Sequence, residues 1–180
     1  IGIVSACSPF GADFTLRRFM PSLVNKTDRA RMFYPQFYFN MISAIALAFI
    51  ILSIYPIVEK NFLDSTLDFT PWLAVLYLVL LTMYSQVLSI FRYADRILLF
   101  NFTTMIYPYI LLALILIWEM LISTTSISSL VISQILALTL VILFALKPAI
   151  KLVGFSLIWY KKRDFITDIK FGLPLIAVVV

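Results

Sequence analysis

The chain has 180 residues, of which 63% are hydrophobic and 13% charged, with mean hydropathy +1.05 and formal net charge +5. These values exclude a soluble globular domain and predict an all-α polytopic membrane protein. A single cysteine, Cys7, and the absence of histidine exclude an intrachain disulfide and His-based acid–base chemistry, and leave no closed zinc ligand set.

Residues 1–19 are weakly polar for a span and hold Ser5, Ser8, Pro9 and Asp13. The expectation is the inner part of a helix descending to the cytoplasm. Asp13 is the one carboxylate expected near membrane depth, which makes it a candidate for ion coupling. The competing reading is an i, i+4 pair with Arg17 at the interface. Residues 20–35 carry Lys26, Arg29 and Arg31 around a turn signal at 25–28, and read as a cytoplasmic loop.

An outward span is expected over 36–56, ended by Pro56, with an acidic outer loop over 57–70. Thr70-Pro71 then reads as a capping hydroxyl followed by proline at the first helical position. Two charge-free apolar runs follow, 71–91 and 97–118, each near the roughly 20 residues that cross a hydrocarbon core. The charged knot Arg92-Tyr-Ala-Asp-Arg96 between them is short enough only for a tight reversal. Trp72 and Trp118 fall at matching levels as interfacial anchors, and Pro108 predicts a kink in the second run.

Residues 123–129 read as an outer Ser/Thr loop and 130–146 as the next descending span, ended by Lys147-Pro148. Residues 149–160, apolar but too short to cross, precede Lys161-Lys-Arg163 and read as a helix lying on the cytoplasmic interface. Phe171-Gly-Leu-Pro174 opens a further outward run, and the chain is expected to be a piece of a longer polytopic protein. Under this topology 13 of the 14 basic residues lie on the cytoplasmic side, with Lys60 the exception. The positive-inside rule thereby accounts for the net charge without a nucleic-acid partner.

Polar side chains recur at helical spacing within the spans. Thr82, Ser85, Gln86 and Ser89 follow i, i+3, i+4 and i+7; Gln36, Asn40 and Ser43 repeat this, as do Asn101, Thr104 and Tyr107, and Ser126, Ser129 and Ser133. Such groups either join helices through hydrogen bonds worth about 0.6 kcal/mol each or line a hydrated cavity. Stripes on four successive helices favour the cavity, lined by Asn40, Ser43, Thr82, Ser85, Gln86, Ser89, Asn101, Thr104, Ser129 and Ser133. Hydroxyls and amides with few charges suit a polar, sugar-bearing solute.

Several stretches resemble one family. Gly11-Ala-Asp-Phe-Thr-Leu-Arg-Arg18-Phe-Met-Pro21, Asp28-Arg-Ala-Arg31, the Arg92–Arg96 turn and Phe171-Gly-Leu-Pro174-Leu are similar, in order and spacing, to O-antigen-type polysaccharide flippases of the multidrug/oligosaccharidyl-lipid/polysaccharide exporter superfamily. Ser22 stands where that family carries a glutamate after Arg-aromatic-aliphatic-Pro. The resemblance implies an N-terminal lobe over 1–148 lacking its first helix, an interlobe connector over 149–170 and the start of helix seven over 171–180. It implies a multi-pass protein of the cytoplasmic membrane that flips a lipid-linked oligosaccharide on undecaprenyl pyrophosphate by alternating access, beside the polysaccharide biosynthesis machinery. It implies a transporter rather than an enzyme, with no cofactor.

Arg18, Arg92 and Arg96 are then the candidate pyrophosphate contacts, being bidentate donors, against the plainer role of loop charges that set topology. Two alternatives stand beside this reading. A drug/cation antiporter of the same superfamily would need buried carboxylates in the second lobe. A membrane-embedded glycosyltransferase or polymerase would need a large catalytic outer loop, which 57–70 and 123–129 do not provide.

Overall fold

A computed structural model describes residues 20–23, 25–62, 71–122 and 127–154. A 3-10 turn at Met20–Ser22 leads into four α-helices: α1 Lys26–Phe62, α2 Pro71–Tyr93, α3 Ile97–Ile122 and α4 Ile127–Val153. All four are long and apolar enough to cross a membrane, and the described residues contain no strand. The chain is a helical, multi-pass membrane protein. In hydrocarbon a helix satisfies its backbone internally, so an apolar run of this length has no cheaper conformation.

The two-run hairpin forms as expected, as α2 and α3. The knot between them closes α2 with a 2.8 Å bond from the Arg96 N–H to the Phe91 carbonyl, five residues back. This geometry requires a left-handed residue, and Asp95 takes it with φ 57°. The Arg96 carbonyl then accepts from Phe100 N–H at 3.0 Å and starts α3. One residue thus ends one helix and begins the next.

Four expected boundaries are corrected. The loop over 20–35 gives way to helix at Lys26, because Asn25 acts as a cap rather than a turn. Its carbonyl accepts from Arg29 N–H at 3.1 Å, and Asp28 places a carboxylate in the first turn. Pro56 does not end the outward span: α1 carries both Pro35 and Pro56 in its interior. Each proline leaves one carbonyl without its N–H partner, a loss that neighbouring helices and side chains can cover in a membrane. Lys147-Pro148 likewise lies inside α4, so residues 149–153 continue the span instead of opening a separate interfacial helix. The stop is Gly154, whose φ of 83° ends the helix with a 2.7 Å bond to the Ile150 carbonyl. Ser128 and Ser129, expected in a loop, belong to the first turn of α4.

α2 and α4 form the central pair, α1 packs on both, and α3 packs on both from the other side. Core contacts join the N-terminal part of α1 (Ala30, Phe33, Tyr34) to the C-terminal parts of α2 (Ile90, Phe91) and α4 (Ala149, Val153), with Leu99 and Phe100 of α3 against them. The helices therefore run up and down, with the starts of α1 and α3 beside the ends of α2 and α4. A second cluster sits further along the bundle, where Tyr84 meets Leu138, Val141 and Ile142. Tyr34 donates to the Gly154 carbonyl at 2.7 Å and ties α1 to the end of α4. Tyr84 reaches from α2 to the Thr103 carbonyl of α3 at 3.3 Å, next to Thr104, whose carbonyl loses its N–H partner to Pro108.

Candidate functional site

Two features of this bundle carry chemistry: a set of polar side chains sealed in its interior and a basic cleft at one end.

Gln36 and Asn40 of α1, Thr82 and Gln86 of α2, and Ser129 and Ser133 of α4 are all buried. Asn40 has no exposed surface, and neither atom of its amide is hydrogen-bonded to the protein. Gln86 is 1% exposed and its Oε1 also has no partner. Heights along the bundle follow from the core contacts. Asn40 lies six residues, about 9 Å, beyond Tyr34 on α1, and Gln86 four residues, about 6 Å, beyond Ile90 on α2. Both amides lie beyond these cluster residues in the direction away from the basic end, on helices that pack together.

The buried hydroxyls behave differently. Thr82 donates to Leu78 O at 2.9 Å and Ser133 to Ser129 O at 2.9 Å, each within its own helix. Here Thr and Ser reach a carbonyl one turn back, whereas the Asn40 amide makes no such bond. The interior polarity is thus split between quiet hydroxyls and frustrated amides. A buried unpaired group costs about 1–3 kcal/mol, which exceeds the roughly 0.6 kcal/mol of an interhelical hydrogen bond. Asn40 and Gln86 therefore oppose the packing in which they are found.

The remaining stripe residues do not share this interior. Ser85 is exposed and donates to Thr82 O at 3.0 Å; Thr104 is exposed and donates to Phe100 O at 2.8 Å; Asn101 is exposed. Ser43, bonded to Asn40 O at 3.0 Å, and Ser89 are half-buried. Tyr107 packs its ring 5.6 Å from that of Tyr84. Helical spacing put these side chains on shared faces, but each face straddles the boundary between the bundle's inside and outside. Asp13, Arg18 and Ser126 lie outside the described residues.

The cleft, of about 820 Å³, opens where α1 and α3 begin and α4 ends. Lys26, Arg29, Arg96 and Lys151 line it with one carboxylate, Asp95, and its apolar wall includes Ile97, Leu98, Leu99 and Leu152. Of the arginines singled out from sequence, Arg96 lines this cleft. Arg92 does not: its guanidinium lies 4.7 Å from the centre of the Phe100 ring, a cation–π contact between α2 and α3. Lys26, Arg29 and Lys151 were read in sequence only as topology charges. Lys26 and Arg29 share a helix face at i, i+3, a visible signal. Their meeting with Arg96 and Lys151 depends on how three helix ends converge.

Compared with family models, characterised proteins and solved structures, the chain has no match.

Proposed function

We propose that this chain contributes a helical lobe to a transporter that moves a lipid-linked oligosaccharide across the cytoplasmic membrane by alternating access. The observation that supports this reading is the buried, unpaired Asn40 amide and Gln86 Oε1, both within helices long and apolar enough to cross a membrane. Neutral, polar and unsatisfied, they cost stability in the packed state and recover it in any state that admits hydroxyl-rich solute or water between α1 and α2. A static bundle gains nothing from keeping them. Alternating access needs such groups, because a ligand shifts an equilibrium only through differential interaction with the two states. The basic end of the bundle, in this reading, faces the cytoplasm.

The test uses the full-length protein in proteoliposomes loaded with a fluorescent lipid-linked oligosaccharide. Asn40→Leu and Gln86→Leu are each expected to lower the flipping rate by up to about tenfold, the worth of one lost hydrogen bond to substrate, while insertion is retained. Unchanged flipping in both variants removes the amides from the mechanism and the reading with them.

A second reading is a helical scaffold that transports nothing. The observation favouring it is that the Thr82 and Ser133 hydroxyls are already bonded within their own helices and make no demand on a solute. That scaffold predicts full flipping in both variants by whatever subunit does the work.

A further inference from the structure

We infer that the cleft at the basic end is a binding site for the phosphate of an anionic lipid headgroup, held at the membrane surface by Lys26, Arg29, Arg96 and Lys151. This stands independently of what the chain transports.

Four cations face one carboxylate across a cleft whose volume lies in the range of about 300–1,000 Å³ typical of small-ligand sites. The cations come from three helix ends brought together by the fold, and an assembly of like charges repels itself unless an anion joins it. Among the described residues, the side chains of Lys26, Arg96 and Lys151 make no hydrogen bond or ion pair. Arg29 is different and complementary. Its Nε donates to the Leu23 carbonyl at 2.8 Å, which holds the guanidinium in place and leaves its other N–H groups for a phosphate. The anchoring is doubled, since Tyr34, which follows Arg29 on α1, bonds to Gly154 just past Lys151 on α4.

The apolar wall argues for a lipid rather than a free anion. Leu98 and Ile97 are largely exposed at the start of α3, where the cleft meets the hydrocarbon-facing side of that helix. A phosphate among the cations can therefore continue into an acyl chain along α3 without crossing a polar barrier. A soluble phosphate gains nothing from these leucines.

The experiment measures retention of dioleoyl phosphatidic acid on the detergent-solubilised full-length protein by native mass spectrometry, against dioleoyl phosphatidylcholine and inorganic pyrophosphate. Two triple variants remove equal charge from the same end of the bundle. One is Lys26→Gln/Arg96→Gln/Lys151→Gln in the cleft, and the other is Arg31→Gln/Arg92→Gln/Lys147→Gln on exposed positions around it. A basic residue near an anionic surface is worth about fivefold in affinity, so the cleft variant is expected to lose about a hundredfold and the control less than about fivefold. Equal losses in the two variants, or equal retention of phosphatidylcholine, reduce the cleft to general surface charge and overturn the site. Pyrophosphate that displaces the lipid while binding as tightly by itself makes the site one for a soluble anion and overturns the lipid assignment. Should the cleft variant fail to fold, a photoactivatable phosphatidic-acid analogue on the unaltered protein decides. Labelling within residues 26–29, 96–99 and 151–152 supports the site, and labelling elsewhere refutes it.

Discussion

Helices α3 and α4 are nearly equal in length and both strongly apolar, yet they occupy opposite positions in the fold. α4 lies at the centre, burying Ser129, Ser133, Ala137, Ala145 and Ala149 while Leu143 and Phe144 point outward. Among the described residues, α3 buries Thr103 alone and leaves Leu98, Phe102, Met105 and Tyr109 exposed. The difference teaches that hydropathy places a helix in the membrane but does not place it within the bundle. Lipid tails are as apolar as leucine, so burial is awarded for close approach rather than for oiliness. α4 wins the central place because alanines and serines along one face let α2 come near. The bulky side chains of α3 are equally content against lipid.

The sharpest way to break this comparison is to add volume at matched alanines. Ala137→Phe in α4, at a position with no exposed surface, is expected to destabilise the bundle by about 3 kcal/mol, the upper part of the overpacking range. Ala113→Phe on the exposed side of α3 is expected to stay within about 0.5 kcal/mol. Unfolding in mixed micelles with increasing dodecyl sulfate reads both. Similar losses at the two positions would show that α3 is as confined as α4.

A smaller effect of opposite sign is expected at the interior amide. Asn40→Leu removes two unpaired polar atoms and should stabilise the protein by about 1–2 kcal/mol in the same titration. Destabilisation would mean that Asn40 has a partner in the folded state, and would remove the frustration on which the transport reading relies. Next comes the tie between α1 and the end of α4. Tyr34→Phe deletes the 2.7 Å bond to Gly154 and should cost about 1 kcal/mol, with faster amide exchange expected at the end of α4. Smallest are the self-bonded hydroxyls. Ser133→Ala inside and Ser53→Ala on the exposed side of α1 should each change stability by less than about 0.6 kcal/mol, because each hydroxyl bonds within its own helix. A larger loss at Ser133 alone would reveal a partner across the α2–α4 contact.

Legibility in the sequence followed the range of the interaction. The α2–α3 hairpin was readable because two charge-free runs flank five residues that can only reverse. Pro71 as a helix start was equally local. The ends of α1 and α4 were misread because proline and the Asn25–Asp28 cluster punctuate soluble chains more strongly than membrane ones. In a bilayer a broken helix loses its backbone bonds with no water to replace them, so α1 runs through Pro35 and Pro56 and α4 through Pro148. The polar stripes were visible as spacings, and six of their members are buried. Spacing says which side chains share a face, however, and not which way the face turns.

The linear order of residues thus determined that the described helices are each long and apolar enough to cross a membrane and that, among the described residues, positive charge gathers at one end of them. Both are local properties, set by run length and by the cost of placing a cation in hydrocarbon. Only the tertiary structure decided that the Asn40 amide and Gln86 Oε1 are buried without partners, that Arg96 joins Lys26, Arg29 and Lys151 around a cleft, and that Arg92 lies over Phe100 instead. These depend on the rotation of each helix about its axis. That rotation is chosen by packing among all four helices together and is encoded in no single one of them.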